Sequence, residues 1–249
     1  MVQNNVQKAA DLILHSEHVT GFTGAGVSVE SGIPPFRGED GLWEKYDPGI
    51  LDLDFFYSNP EKSWSVIKEI FYEFFGKAKP NNAHKALAEL EDMGLLKSVI
   101  TQNIDNLHQE AGSQVVYEFH GNSKKMVCTN CDSNYDVSNE ILRGNPPKCP
   151  QCGSLLKPDF IFFGETIPEY AYKKSVEEAQ NADVFIVIGT MGEVVPASLI
   201  PQMAKENGTK IIEVNPTPSL YTGQMTDIFL QGRAGEKMKE LADQVKLKI

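Results

Sequence analysis

The chain has 249 residues, 41% hydrophobic and 23% charged: enough for a sizeable core, and the composition of a globular protein, not of a disordered or fibrous one. Its formal net charge of −11 disfavours a nucleic-acid partner and suits a basic peptide or protein, although it is equally the ordinary mark of an acidic soluble protein. Only Arg37, Arg143 and Arg233 are arginines; arginine is the usual bidentate clamp for a carboxylate, so an anionic acyl substrate is poorly provided for.

Asn4 to His15 carries Val6, Ala9, Ala10, Ile13 and Leu14 at helical spacing, which predicts a helix packed on a sheet. No signal-peptide pattern precedes it and no apolar run approaches the roughly 20 residues of a membrane span, so a cytoplasmic protein with no membrane partner is expected. Val19 to Thr23 reads as a short buried strand. Gly24-Ala25-Gly26 then lets the backbone turn tightly and a ligand approach closely. Strand, glycine turn and helix start together make an anion site, where free N–H groups meet a phosphate. The dinucleotide fingerprint is nevertheless incomplete. Val29 stands where its third glycine belongs, and Gly32-Ile33-Pro34-Pro35 stops any helix. The prediction is a nucleotide loop that opens into a long irregular segment.

Asp40 to Lys79 is rich in aromatics, among them Trp43, Phe55, Phe56, Trp64, Phe71, Tyr72 and Phe75. This fits a small helical module, with Asn59-Pro60 opening one helix; most of the rings form a core and a few line a groove for an apolar ligand. Asn82 to Met93 predicts an amphipathic helix ended by Gly94. Ser98 to Thr101 is the next buried strand. Ligands of open α/β sheets bind beyond the carboxyl ends of strands, and Gln102, Asn103 and Asp105, just past this one, suit a ribose and a carboxamide. An Asx turn that starts the next helix would explain Asn103 or Asp105 taken alone. Val115 to Phe119 reads as a further strand, ended by His120, whose imidazole can take a proton near neutral pH. A lone histidine is more often structural, the reading that fits His84 and His108 on helix faces; His15 and His18 read as surface or cap residues.

Cys128-Thr-Asn-Cys131 and Cys149-Pro-Gln-Cys152, separated by 17 residues, hold all the cysteines. Two CxxC pairs at this spacing point to a zinc ion closed by four thiolates and therefore structural, with an iron–sulfur site or free thiols as the alternatives. A zinc ribbon can bind nucleic acid, but here Lys148 and Arg143 stand against Asp132, Asp136 and Glu140. Beyond it, Asp159 to Phe163, Val184 to Ile188 and Lys210 to Val214 predict strands, and Tyr170 to Asn181, Ala197 to Asn207 and Glu236 to Val245 predict helices. The alternation predicts an α/β fold, a Rossmann-like parallel sheet with helices on both faces, plus a small zinc-ribbon and helical domain. The large domain is then discontinuous, from residues 1–38, 80–122 and 158–249, and the small one joins the helical module 39–79 to the zinc module 123–157.

From Thr23 to about Glu236 the chain resembles the sirtuin family. The resemblance rests on GAGVSVESGIPPFRG, PNNAHKAL at Pro80, TQNIDNLH at Thr101, FHG at Phe119, the two CxxC pairs, FFGE at Phe162, IGT at Ile188 and VNP at Val214. It implies NAD-dependent removal of acyl groups from lysine side chains, with release of nicotinamide and O-acyl-ADP-ribose. The acyl oxygen would attack the ribose C1′, nicotinamide would leave, and His120 would act as general base on a ribose hydroxyl. The resemblance further implies that Gly24, Ala25 and Gly26 cradle the pyrophosphate with Phe36 and Arg37 over the cleft. Gln102 would hold the nicotinamide ribose, and Asn103, Ile104 and Asp105 would line the nicotinamide pocket. Gly189, Thr190, Asn215 and Ala234 would hold the adenosine half. An acyl-lysine peptide would lie as an added strand between Gly164-Glu165 and Gly192-Glu193-Val194, with Ile161 and Phe162 near the acyl chain.

Two departures from the family pattern stand out: Pro35 where Asp is common, and Met191 where Ser usually follows the Gly-Thr pair, which removes a hydroxyl contact to the cofactor. Members that remove succinyl or malonyl groups carry Tyr-x-x-Arg in the helical module. The corresponding positions are Ile67 and Ile70, so acetyl or longer neutral acyl groups are expected. A mono-ADP-ribosyltransferase would use the same pocket, and a non-catalytic sensor of NAD or ADP-ribose is a third reading, against which His120 argues. A hydride-transfer dehydrogenase is disfavoured by the missing third glycine.

Overall fold

The computed structural model describes residues 4–36 and 41–249. Asn4 caps the first helix, α1 (Asn5–Leu14), by a reciprocal pairing with Gln7, and the helix leads into β1 (Val19–Thr23). A single 3-10 stretch, Ala25–Ser31, follows the glycine turn and ends at Gly32, as the broken fingerprint predicts. Next come α2 (Leu42–Lys45), α3 (Leu53–Ser58) and α4 (Pro60–Ile67), which runs on into a π-helical segment Lys68–Phe74. The chain returns through α5 (Asn82–Asp92), β2 (Leu96–Thr101), α6 (Leu107–Ala111) and β3 (Val116–Glu118). It then leaves for β4 (Gly121–Cys128), β5 (Asn134–Asp136), α7 (Asn139–Leu142) and β6 (Leu156–Phe160). It ends with α8 (Glu169–Asn181), β7 (Val184–Ile188), α9 (Leu199–Glu206), β8 (Lys210–Asn215), β9 (Ile228–Gln231) and α10 (Ala234–Lys246).

Among the described residues, six strands form a parallel sheet in the order β3-β2-β1-β7-β8-β9, and three form a second sheet in the order β5-β4-β6. Period-two alternation splits the central strands between two cores. Val184, Ile186 and Ile188 face α1, α5 and α10, whereas Phe185 and Val187 face α8 and α9. A third core joins Phe56, Trp64, Ile67, Ile70 and Phe71 of the helical module to Met126, Leu156 and Phe160 of the second sheet. The aromatic density of the module is thus mostly core. Trp64 is fully buried and donates its indole N–H to Leu156 O at 2.9 Å.

Two expectations shift. The strand expected at 159–163 lies at 156–160 and pairs antiparallel with β4 in the small sheet. Pro158 sits inside it, tolerated because β6 is an edge strand. Beyond it Phe163 pairs with the helical module instead, through Phe163 N to Leu51 O (2.8 Å) and Leu53 N to Phe163 O (3.1 Å). β9 has no counterpart in the sequence reading. It is a four-residue edge strand whose strand partner among the described residues is β8, too short for periodicity to reveal. No helix among the described residues is long and apolar enough to cross a membrane.

Candidate active site

The site is built on the carboxyl edge of the parallel sheet. Thr23, Thr101 and Ile188, the last residues of β1, β2 and β7, are in register, and each is followed directly by polar or glycine residues. Read across the sheet order, that edge presents His120 after β3, Gln102 to Asp105 after β2 and Gly24 to Gly26 after β1. It continues with Gly189-Thr190 after β7, Asn215 closing β8 and Ala234 opening α10 after β9. The chain leaves central β1 towards β2 on one side and β7 on the other, so the glycine turn sits where the winding reverses, the crevice in which doubly wound sheets take ligands.

The glycines are there for close packing. Gly26 N donates to Gly189 O at 2.8 Å. A Cβ on Gly189, whose φ is +63°, would fall 2.3 Å from Val27 N, and one on Gly26 would fall 2.7 Å from Gly189 Cα. The two loops can touch only without side chains. Thr190 ties the edge together: its hydroxyl accepts from Gln102 Nε2 (3.2 Å) and its main-chain oxygen from Asn215 Nδ2 (3.0 Å). Ala234 is buried at the start of α10, and the neighbouring Gly235 N donates to the Glu30 carboxylate at 2.6 Å. The protein's own carboxylate therefore occupies that helix end.

His120 is part-buried, and its Nδ1 lies 2.9 Å from Gln102 O. A carbonyl only accepts, so Nδ1 carries the proton and Nε2 keeps its lone pair in the neutral ring. Burial lowers the pKa, opposed by the Gln102 hydrogen bond, and so favours the neutral ring. Asn103 and Ile104 are buried. Asp105 accepts from Ser28 Oγ (2.7 Å), Asn103 Nδ2 (3.2 Å) and Leu107 N (3.0 Å). The Asx turn at Asp105 is real, and the same side chain also joins a site network.

Nothing in the sequence alone singles out Ser28. It is fully buried, and it links Asp105 to Asn103 Nδ2 (3.1 Å) and approaches His84 Nε2 (3.4 Å). Its signal was a polar residue in a segment otherwise read for its glycines. His84 and His108 are buried with rings 4.8 Å apart. His108 reaches Thr23 Oγ1 at 2.9 Å, and burial pushes both rings towards the neutral form, His84 to about 4. Both lie in the interior, His84 beside the Ser28 network. His15 closes α1 and His18 meets Glu178 at 2.8 Å.

Phe36 packs its ring 5.5 Å from that of Trp43 at a tilt of 37°, and Arg37 lies outside the described residues. Of the residues expected near a substrate, Ile161 N donates to His120 O at 2.9 Å, and Phe162 is buried edge-on against Phe56 at 5.1 Å. Gly164 turns with φ +96°. The Glu165 carboxylate points inward, to Phe162 N (2.6 Å) and Lys157 (3.0 Å). On the facing loop Gly192 is buried, whereas Met191, Glu193 and Val194 are exposed.

The four cysteines converge, with all sulfurs within 4.8 Å of one another. Individual separations are 3.4 Å (Cys128 to Cys152), 3.8 Å (Cys131 to Cys149) and 3.5 Å (Cys131 to Cys152). Tetrahedral zinc with bonds of about 2.3 Å places its sulfurs about 3.8 Å apart. The donor set and its spacing fit zinc.

Comparison with known proteins agrees with this geometry. The model of the Sir2 family matches residues 24–196. An NAD-dependent protein deacylase of Thermococcus sibiricus is 46% identical over 248 residues, 97% of this chain and 96% of that one. NAD-dependent protein deacylase 2 of Archaeoglobus fulgidus is 43% identical over 98% of both. Among solved structures, a Sir2 homologue variant with ADP ribose superposes with a TM-score of 0.92 at 42% identity, covering 97% of this chain and 96% of that one. A Sir2 complex with a p53 peptide and NAD+ superposes with a TM-score of 0.89 at 35% identity, covering 96% and 98%. The motifs, the order of the loops along the sheet edge and these likenesses all run over nearly the full chain, and it belongs to the Sir2 family, the sirtuins.

Proposed function

We propose that the protein is an NAD-dependent protein lysine deacylase acting on acetyl or longer neutral acyl-lysine in proteins or peptides. One observation carries the reading. A neutral, oriented imidazole stands at one end of a sheet edge whose successive loops suit a nicotinamide, a ribose, a pyrophosphate and an adenosine. NAD, when bound, supplies the activated glycosidic bond that is exchanged for a bond to the acyl oxygen, with nicotinamide as leaving group.

The chain's own residues do the rest. The Nε2 lone pair of His120 takes a proton from a ribose hydroxyl, because Gln102 O holds the ring's other nitrogen protonated. Gln102 and the Asn103-Ile104-Asp105 turn orient the ribose and the carboxamide, with Ser28 fixing the Asp105 carboxylate from behind. Gly24, Ala25 and Gly26 offer main-chain N–H groups to the pyrophosphate, with Phe36 above the cleft. Thr190, beside Gly189, together with Asn215 and Ala234 takes the adenosine half. The substrate peptide adds as a strand between Gly164-Glu165 and Gly192-Glu193-Val194. Ile161 and Phe162 line the acyl passage and keep water from the reacting carbon. Buried Ile67 and Ile70 offer no charge to a succinyl carboxylate. Zinc at Cys128, Cys131, Cys149 and Cys152 is structural. The same reading assigns NAD to the domain of residues 1–38, 80–122 and 158–249, places the protein in the cytoplasm and gives it no nucleic-acid partner.

A panel of acyl-lysine peptides with NAD, read by nicotinamide release and by mass spectrometry of the products, tests this. Acetyl and longer neutral chains are expected to yield O-acyl-ADP-ribose. Faster turnover of succinyl-lysine would overturn the acyl preference, and ADP-ribose attached to a protein acceptor would replace deacylation by the transferase reading.

A further inference from the structure

Lys157 lies on β6 opposite Val127 of β4, with only 12% of its side chain exposed. All of its donors are directed into one short segment. The ammonium donates to Pro158 O (2.8 Å) and Phe160 O (2.7 Å), pairs with Glu165 Oε2 at 3.0 Å and stands 4.3 Å from the centre of the Phe162 ring. Glu165 closes the segment from its other end, accepting from Phe162 N at 2.6 Å while its own N–H donates to Phe162 O at 3.0 Å. The loop between these anchors is wired outward at two points, to the histidine through Ile161 N and His120 O (2.9 Å) and to the helical module through Phe163 and Leu51 (2.8 Å). On the histidine side Gly121 makes the approach possible, since a Cβ there would fall 2.3 Å from Asp159 O.

Burying a lysine and a glutamate together is a poor way to stabilise a fold. Apolar residues of similar volume in place of such a pair are often neutral or better. Desolvation lowers the Lys157 pKa, opposed by Glu165, so the site resists the charge that it holds. What the pair does supply is geometry: it fixes where the main chain of Ile161 to Glu165 runs relative to His120.

We propose that Lys157 is a positioning residue for the acyl-lysine substrate. Through Glu165 and the Phe160 carbonyl it holds the Ile161 to Glu165 segment in register with His120, so that the bound acyl carbonyl and the imidazole share one frame. The proposal rests on the deacylase reading above, and Lys157 acts through the Ile161 to Glu165 segment rather than on the reacting atoms.

The test is steady-state kinetics of Lys157→Met and Lys157→Arg, with an acetyl-lysine peptide and NAD varied separately and zinc content as the check on folding. Lys157→Met is expected to raise the peptide KM about tenfold or more, because misplacement by a fraction of an ångström is costly at a reacting centre. The NAD KM should stay within about twofold, and Lys157→Arg should restore most of the peptide affinity. Should Lys157→Met fail to fold, Glu165→Gln keeps the acceptor for Phe162 N and removes only the charge pairing, and the same split, smaller, is expected. An unchanged peptide KM, or an equal rise in both constants, overturns the proposal. Wild-type protein that releases no nicotinamide with any acyl peptide overturns the functional reading and this proposal with it, a result distinguishable from the others because it precedes any variant.

Discussion

His120 has a hydrogen bond that fixes its tautomer and a burial that favours its neutral form. Its Nδ1 proton is committed to Gln102 O at 2.9 Å, so the only basic atom left in the neutral ring is Nε2. Burial puts its pKa below the usual 6.5. The sign follows: the base is competent when neutral, so kcat/KM should be flat through neutrality and fall only as pH drops through a value below 6.5. A pH–rate profile with its acid limb above 6.5 would contradict this. His120→Tyr should reduce deacylation by about 10²–10⁴-fold, the range for loss of a positioned base, while NAD titration and thermal unfolding show the fold retained. Asp105 shows why single residues mislead. The sequence reads it as an Asx-turn former or as a ligand contact; it forms the Asx turn with Leu107 N, and Ser28, 77 positions away, reaches its other carboxylate oxygen.

At the scale of elements, the glycine turn and the zinc ribbon each do one thing that other residues in their places could not. The turn after β1 and the turn after β7 pack backbone on backbone, and Gly189 lies in the left-handed region. Gly189→Ala adds a Cβ with nowhere to go. It should cost about 2 kcal/mol or more of stability and remove NAD binding, measured by denaturant unfolding and by titration. The ribbon is held by its metal. One zinc per chain is expected by elemental analysis, and chelation or Cys149→Ser should lower the melting temperature and raise the peptide KM together. The reason is connectivity: β6 leaves the ribbon and becomes, within five residues, the segment attached to His120. A zinc-free protein with unchanged peptide kinetics would count against this coupling. The chain patterns gave away β1 and β7 to the residue, since β7 is a wholly apolar run and β1, Val-Thr-Gly-Phe-Thr, is short and runs straight into a glycine turn. They misplaced β6 because Pro158 reads as a break until its edge position is known.

For the whole molecule, the net charge of −11 sets a field that a substrate meets before any contact. Peptides flanked by lysines should show a higher kcat/KM than neutral ones at low salt. The advantage should shrink several-fold as ionic strength approaches about 0.15 M, where screening sets in at about 8 Å; a salt-independent ratio would place the selectivity in contacts instead. Much was determined by the sequence alone. The glycine turn, the paired cysteines, the first and last helices and the family motifs are local patterns, decided by allowed φ, ligand spacing and hydrophobic period within a few neighbouring residues. The tertiary structure alone decided the order in which the six loops line the sheet edge, the Ser28 to Asp105 bond, the Glu30 carboxylate at the start of α10 and the Lys157 to Glu165 pairing. Those depend on residues brought together by strand order and packing, and no local periodicity records which distant partner will fill a donor or a gap.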